Sequence, residues 1–326
     1  MIYPKRPLLI VFCACVLLTG TSCAPQRRPI PGQPPLAADV ADAVLAHFEL
    51  ERLMARVEQL TAPRFQGRDA GTAGEDLAGD YLVGELQAIG LQPWVAGGLD
   101  KFRQSFSVRG RKQPGENIVA HLPGQSGNSL LVVSAHYDHL GIQNGVYYPG
   151  ADDNAVGVAT LLEVAECLSS SSLTPERTVL FALLSGEEKG LVGAANLARW
   201  LQRQGYAQDS VVLNLDMLGG IGGNSLDIWL EKSRPSGQLL ATVAQQEIEA
   251  AGITARRIRR RFGPVDSAPF AKRGMPSITL SWDLERANHP YRHTPNDTYA
   301  NLRHELVEQA SRGAIRVALA LSNLLR

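Results

Sequence analysis

Several short runs in this chain are apolar at nearly every position: Leu130–Ala135, Thr178–Leu184, Val211–Leu215, Leu226–Leu230 and Ser277–Ser281. A strand with one wet face alternates apolar and polar residues, so a run without alternation must be covered on both sides. Between these runs the apolar positions switch to helical spacing, over Val156–Leu168, Leu191–Gln204, Gly237–Ala251 and Leu302–Leu325. Doubly covered strands alternating with helices predict an α/β fold. Its central, mainly parallel (mixed) sheet would lie in a three-layer sandwich, with helices on both faces. Upstream, Asn117–His121 reads as a further strand and Ala38–Leu60 as helix. A loop with Gly67, Gly71 and Gly74 leads into a helix over Glu75–Ile89, ended by Gly90. The Ser169–Ser172 run reads as a loop. No internal repeat or second composition regime interrupts this pattern, which predicts one domain over residues 39–326.

The first 38 residues follow another logic. Lys5 and Arg6 precede an apolar run, Leu8–Leu18, and then the small residues Thr19–Ser22. That order describes a secretory signal peptide over residues 1–22, too short to span a bilayer as a helix. Cys23 stands where a bacterial lipoprotein signal places its acylated cysteine, although Gly20 occupies the position that usually holds Leu. The alternative is cleavage after Ala24, which leaves Pro25 first, a poor substrate for signal peptidase. Acylation at Cys23 would give a stable membrane anchor. Prolines at 25, 29, 31, 34 and 35 make residues 23–38 a tether. Extended at about 3.1 Å per residue, it would reach on the order of 45 Å. The expected location is the cell envelope after export across the inner membrane, lipid-anchored at the outer membrane or the periplasmic face. Ala24 is not the aspartate that often retains such proteins at the inner membrane.

Lys plus Arg equals Asp plus Glu at 32 each, so the basic excess of a nucleic-acid binder is absent. Four cysteines, of which Cys13 and Cys15 fall in the leader, exclude a disulfide scaffold. Cys167 lies on an apolar helix face and reads as core.

In open α/β sheets ligands bind beyond the carboxyl ends of the strands. The residues there are His136-Tyr-Asp138-His139, Ser185-Gly-Glu187-Glu188, Asp216, and the stretch from His289 through Tyr291, Arg292 and His293 to Thr298. The loop Gly150-Ala-Asp152-Asp153-Asn154 opens the helix after the first of them. Any one of these groups alone would be a cap or a surface charge. Imidazoles and carboxylates from five segments without thiolates are the ligand chemistry of an open zinc site. Adjacent Glu187 and Glu188 leave a strand end in different directions, so one can bind metal while the other faces a water. His136 and Asp138, two apart, share a side, and Asp138 would accept the second imidazole proton.

These motifs together (Ser-Ala-His136-Tyr-Asp-His-Leu-Gly, Gly-Ala-Asp152-Asp153-Asn-Ala-Val-Gly, Ser-Gly-Glu187-Glu188-Lys-Gly-Leu, Asn-Leu-Asp216-Met-Leu-Gly and His293-Thr-Pro-Asn-Asp-Thr) resemble the aminopeptidase Y-type family of co-catalytic dizinc exopeptidases. All five occur in family order from about Gln66 to the C-terminus. The resemblance implies two Zn²⁺ per chain and peptide substrates. It implies Asp152 as the ligand bridging both zincs, Glu188 and His293 completing one site, and His136 and Asp216 the other. Glu187 would be the general base, and Asp153 would follow the bridging ligand in a strained turn. A free substrate α-amine near one metal would make the enzyme an aminopeptidase. Two departures stand out. Arg292 occupies the place before the last histidine, where many members carry Tyr, with Tyr291 one further back. Either would be the oxyanion donor. Asp266-Ser267 replaces a common Asp-His ahead of Pro269-Phe270, which leaves Asp266 as a substrate-contacting candidate and bears on preference rather than on hydrolysis.

Two other readings remain at this point. One is a carboxypeptidase or a glutaminyl cyclase-like transferase of the same superfamily; the other is a lipoprotein that binds peptides without catalysis. His304-Glu305 lacks the second histidine of a zincin helix, no Gly-x-Ser-x-Gly elbow is present, and Gly219–Gly223 departs from dinucleotide-binding spacing. The run Arg256–Arg261 reads as a solvated edge, with lipid headgroups or an acidic substrate as the alternative. His47, His121 and His139 read as structural or surface residues.

Overall fold

The computed structural model describes residues 35–99, 101–230, 235–258 and 265–324. The expected signal peptide, Cys23 and most of the expected tether lie outside them. In chain order the main elements are α1 (Ala38–Leu45), α2 (Leu50–Leu60), α3 (Ala73–Ala88), β1 (Arg103–Phe106), β2 (Gly115–Leu122), β3 (Ser126–His136), β4 (Ile142–Gln143) and β5 (Val146–Tyr147). There follow α4 (Val156–Ser170), β6 (Arg177–Leu184), α5 (Val192–Arg203), β7 (Ser210–Leu215), β8 (Ser225–Leu230), α6 (Pro235–Ala250), β9 (Thr254–Ile258), α7 (Ser267–Lys272), β10 (Ser277–Trp282) and α8 (His304–Ser322).

Eight strands form one sheet in the order β1-β2-β6-β3-β7-β10-β8-β9. The central four, β6, β3, β7 and β10, run parallel. The edges mix in antiparallel pairs at β1-β2, β2-β6 and β10-β8. Successive side chains of a strand point to opposite faces, and the two cores follow that period. Leu131, Val133 and Ala135 of β3, with Val179, Phe181 and Leu183 of β6, join the core beneath α2, α3, α4, α6 and α8. Leu130 and Val132, with Leu180, Ala182 and Leu184, join the opposite core, where Leu197 and Leu201 of α5 and Phe270 of α7 pack. This is the predicted sandwich, and its non-alternating strands are buried on both faces for the predicted reason. No helix among the described residues is long and apolar enough to cross a membrane.

The structure departs from expectation in several places. The helix expected over 38–60 is two helices, because the backbone between them docks on Glu163 of α4. That fully buried carboxylate takes the Glu49 amide (3.3 Å) and the guanidinium groups of Arg52 and Arg56 (2.8 and 2.7 Å). Phe48 stays in the core, so the apolar spacing runs on through the turn. The fold also begins before residue 39: the Leu36 amide donates to Glu247 (2.7 Å), which removes the end of the expected tether. Edge strands β1 and β9, built from Arg-Gln-Ser-Phe and Thr-Ala-Arg-Arg-Ile, were not expected, since polar edges carry no burial pattern. Finally, Arg256 stays 39% exposed at its side chain but is not a free charge. Its guanidinium holds both Asp227 oxygens at 2.8 Å and Asp283 at 2.9 Å. Arg259 to Arg261 lie outside the described residues.

Candidate metal centre

The four parallel strands deliver their carboxyl ends to one edge, and the chemistry gathers there. His136 is the last residue of β3 and is buried. Its Nδ1 faces the backbone carbonyl of Asp138 at 3.2 Å, which leaves Nε2 turned to Asp153 Oδ1 (3.2 Å) and Asp216 Oδ1 (3.6 Å). The Asp138 carboxylate, expected to hold the ring, lies 3.8 Å from Nδ1. It accepts instead the amide N–H groups of Glu187 (3.1 Å) and Glu188 (3.3 Å). Asp138 therefore sets the turn that aims the two glutamates. The ring is held by the main chain, because two residues past a strand end a carbonyl comes closer than a side chain that already has amides to cap.

The adjacent aspartates also exchange their expected places. Gly150, at φ +62°, starts the turn, and the amides of Asp152 and Asp153 donate to Oδ1 and Oδ2 of Asp297 (2.8 and 3.1 Å). Asp153 is extended (φ −111°, ψ 85°), so the two side chains leave opposite sides. Asp152 points away from the strand-end histidines. Its Oδ1 accepts the Gly219 amide (3.0 Å), and its Oδ2 meets His289 Nδ1 at 2.5 Å. His289 Nε2 donates to the Trp282 carbonyl at 2.7 Å. Burial alone would lower that imidazole's pKa, but the Asp152 charge and the two bonds raise it to about 9. Asp153 turns the other way: Oδ1 lies by His136, and Oδ2 lies 3.1 Å from both His293 Nε2 and Arg292 Nε. Two donor clusters result, His136/Asp153/Asp216 and His139/Asp153/Glu188, each with one ligand atom per residue within 4.8 Å of the others. His293 Nε2 joins the second, 3.2 Å from Glu188 Oε1. The carboxylate shared by both groups is Asp153, not Asp152.

Supporting residues tie the segments together. Asn154, joined to Asp153 by a cis peptide, straddles Asp216: its Oδ1 accepts the Met217 amide (3.1 Å) and its Nδ2 donates to the Leu215 carbonyl (3.0 Å). Buried Arg68 donates to the carbonyls of Tyr137, Pro149 and Gly150, which locks the end of β3 to the aspartate turn. Neither was singled out from the sequence. Their signal, a polar residue inside or before a glycine-rich loop, does not separate such clamps from ordinary turns.

Electrostatics divide the carboxylates. Burial, with the nearby charges of Asp266, Asp216 and Asp153, pushes Glu187 well above the ordinary glutamate range. Burial raises Asp138 to about 8 and Asp266 to about 7. Burial also disfavours the Glu188 charge, but the imidazoles of His139 and His293 outweigh it and bring the pKa to about 2. Asp266 is 1% exposed, and both of its oxygens lack a hydrogen-bond partner. Of the two oxyanion candidates, Arg292 reaches the shared carboxylate. Tyr291 instead lines a small cavity with Asp152, His289 and Asp297.

The donor set fits divalent cations. Buried polar atoms normally find partners, yet Glu188 Oε1 and both ring nitrogens of His139 have no hydrogen bond. Two atoms bound tetrahedrally to one zinc at about 2.05 Å lie about 3.3 Å apart. The imidazole–carboxylate separations here run from 3.1 to 3.6 Å.

A mixed α/β sandwich with this nitrogen and oxygen cluster at its strand ends is an architecture that could hold metal ions where the strands end. Residues 117–318 match the profile of peptidase family M28, and the chain belongs to that family. It is similar to leupeptin-inactivating enzyme 1 of Streptomyces exfoliatus, at 29% identity over 66% of this chain and 45% of that one. It is also similar to a probable leucine aminopeptidase of Arthroderma otae, at 27% identity over 81% of this chain and 70% of that one. The chain thus spans less than half of the first relative and about two thirds of the second. Among solved structures, the LapA aminopeptidase of Legionella pneumophila superposes with a TM-score of 0.73 at 22% identity, covering 92% of this chain and 79% of that one. Glutaminyl cyclase of Porphyromonas gingivalis superposes with 0.67 at 20% identity, covering 83% and 98%. The predicted fold class stands.

Proposed function

We propose that this protein is a dizinc aminopeptidase, with Asp153 as the carboxylate shared by both ions. The observation that carries the reading is the split of Asp153, one oxygen toward His136 and the other toward His293. His136 and Asp216 would hold the first ion, and Glu188 and His293 the second. When bound, the pair supplies an acidified water and polarises the scissile carbonyl. Glu187, whose backbone Asp138 fixes, takes the proton as the water oxygen adds to the carbonyl carbon. It returns that proton to the amine nitrogen as the C–N bond breaks. Arg292 stands beside the reacting centre as the oxyanion donor.

The surplus of carboxylates supports removal of N-terminal residues. A substrate α-ammonium would meet Asp266, whose two buried oxygens await a donor. The cyclase-like fold supports a second reading, transfer within an N-terminal glutaminyl residue. A pool of free and N-acetylated peptides, incubated with the zinc-loaded protein and followed by mass spectrometry, separates the two. Stepwise loss of N-terminal residues from free peptides alone is expected. C-terminal trimming, cyclised N-termini or an untouched pool would each reject the aminopeptidase. The leader supports an envelope location with an anchor at Cys23, which would bring the site to peptides outside the inner membrane.

A further inference from the structure

His139 read as a structural or surface residue from the sequence. It is neither on the surface nor held like a structural histidine. Its side chain is fully buried, and neither ring nitrogen makes a hydrogen bond. A buried neutral imidazole carries one donor and one acceptor, and leaving both unpaired costs about 1–3 kcal/mol for each group. Its main-chain N–H donates a hydrogen bond to the Arg68 carbonyl (3.2 Å). The ring is pressed against Gly150, where a Cβ would come within 2.5 Å of it. That packing holds Nδ1 at 3.2 Å from Glu188 Oε1, in a geometry that makes no hydrogen bond. Glu188 Oε1 stands at the same 3.2 Å from His293 Nε2. Two imidazole nitrogens equally spaced from one carboxylate oxygen, near the separation of paired zinc ligands, describe a shared cation rather than an ion pair.

We propose that His139 is a further protein ligand of the second metal position, donating Nδ1 to the ion held by Asp153, Glu188 and His293. The inference rests on the dinuclear reading above. It makes the two positions unequal: the first has one imidazole, His136, and the second has two. An extra neutral nitrogen donor favours zinc over hard, oxygen-seeking cations such as magnesium. The second position would therefore be the more selective of the two.

The test is a metal titration of the chelator-stripped protein, with zinc followed by calorimetry and cobalt(II) by visible absorption. Wild type, His139→Ala and His139→Asn are compared, with circular dichroism and first-ion binding as folding controls. Both variants are expected to bind the first ion as wild type does. Both should lose affinity for the second by about 100-fold or more, the upper range for losing even an orienting partner, and change its cobalt spectrum. Restoration by His139→Asn would make the residue a hydrogen-bonding orienter of Glu188 and overturn the proposal. So would unchanged affinity for two ions in both variants. A wild type that binds a single ion would instead refute the dinuclear reading.

Discussion

Replacing Asp152 by Asn separates the two aspartates more sharply than replacing Asp153. If Asp152 held the ions, Asp152→Asn would empty both positions. In the structure it faces His289, whose other nitrogen donates to a carbonyl that can only accept. The imidazole is thus held as a cation against Asp152, with its pKa raised from 6.5 to about 9. At about 1.4 kcal/mol per pKa unit, that rise amounts to on the order of 3 kcal/mol of folding stability. His289 is 7% exposed, so solvent screening takes little from it. A histidine whose pKa is higher when folded contributes fully below the unfolded value, 6.5. The contribution fades as pH climbs through 9. Urea unfolding of the metal-free protein from pH 6 to 10 should therefore show Asp152→Asn less stable than wild type by about 3 kcal/mol near pH 6. The gap should close by pH 10, and zinc stoichiometry at neutral pH should not change. A variant that loses both zincs, with a stability deficit flat across pH, would refute the assignment of Asp153 as the shared carboxylate.

Glu187→Gln should keep both ions and lose hydrolysis of aminoacyl anilides by several powers of ten, the range of general-base catalysis with its positioning; normal turnover would remove Glu187 from the base role. At the other end of the chain, Cys23→Ser should move the protein from the membrane fraction to the soluble envelope fraction and abolish labelling by a fatty-acid probe. Unchanged membrane association would discard the anchor.

The central strands were legible because burial on both faces writes itself into every residue of β3, β6 and β7. The edges were not: Arg256 reads as a solvated charge until Asp227 and Asp283 are brought beside it from distant strands. The β4-β5 hairpin did carry a local signal, Asn144-Gly145, both with positive φ, and it went unread. At the site, residue types and strand-end positions named segments that the structure brings together, since convergence at the carboxyl edge is a property of topology. Roles within a segment were a different matter. Asp152 and Asp153 are the same residue type one position apart, and which of them turns inward is decided by Asp297, 145 residues downstream, taking both amides. His139 follows a strand and looks exposed in isolation; Arg68 and Gly150, from two other loops, bury it. A motif therefore specifies which donors arrive at a centre. The amide and carbonyl bonds behind it select which atoms face one another there, and those partners lie too far apart in sequence for spacing to reveal them.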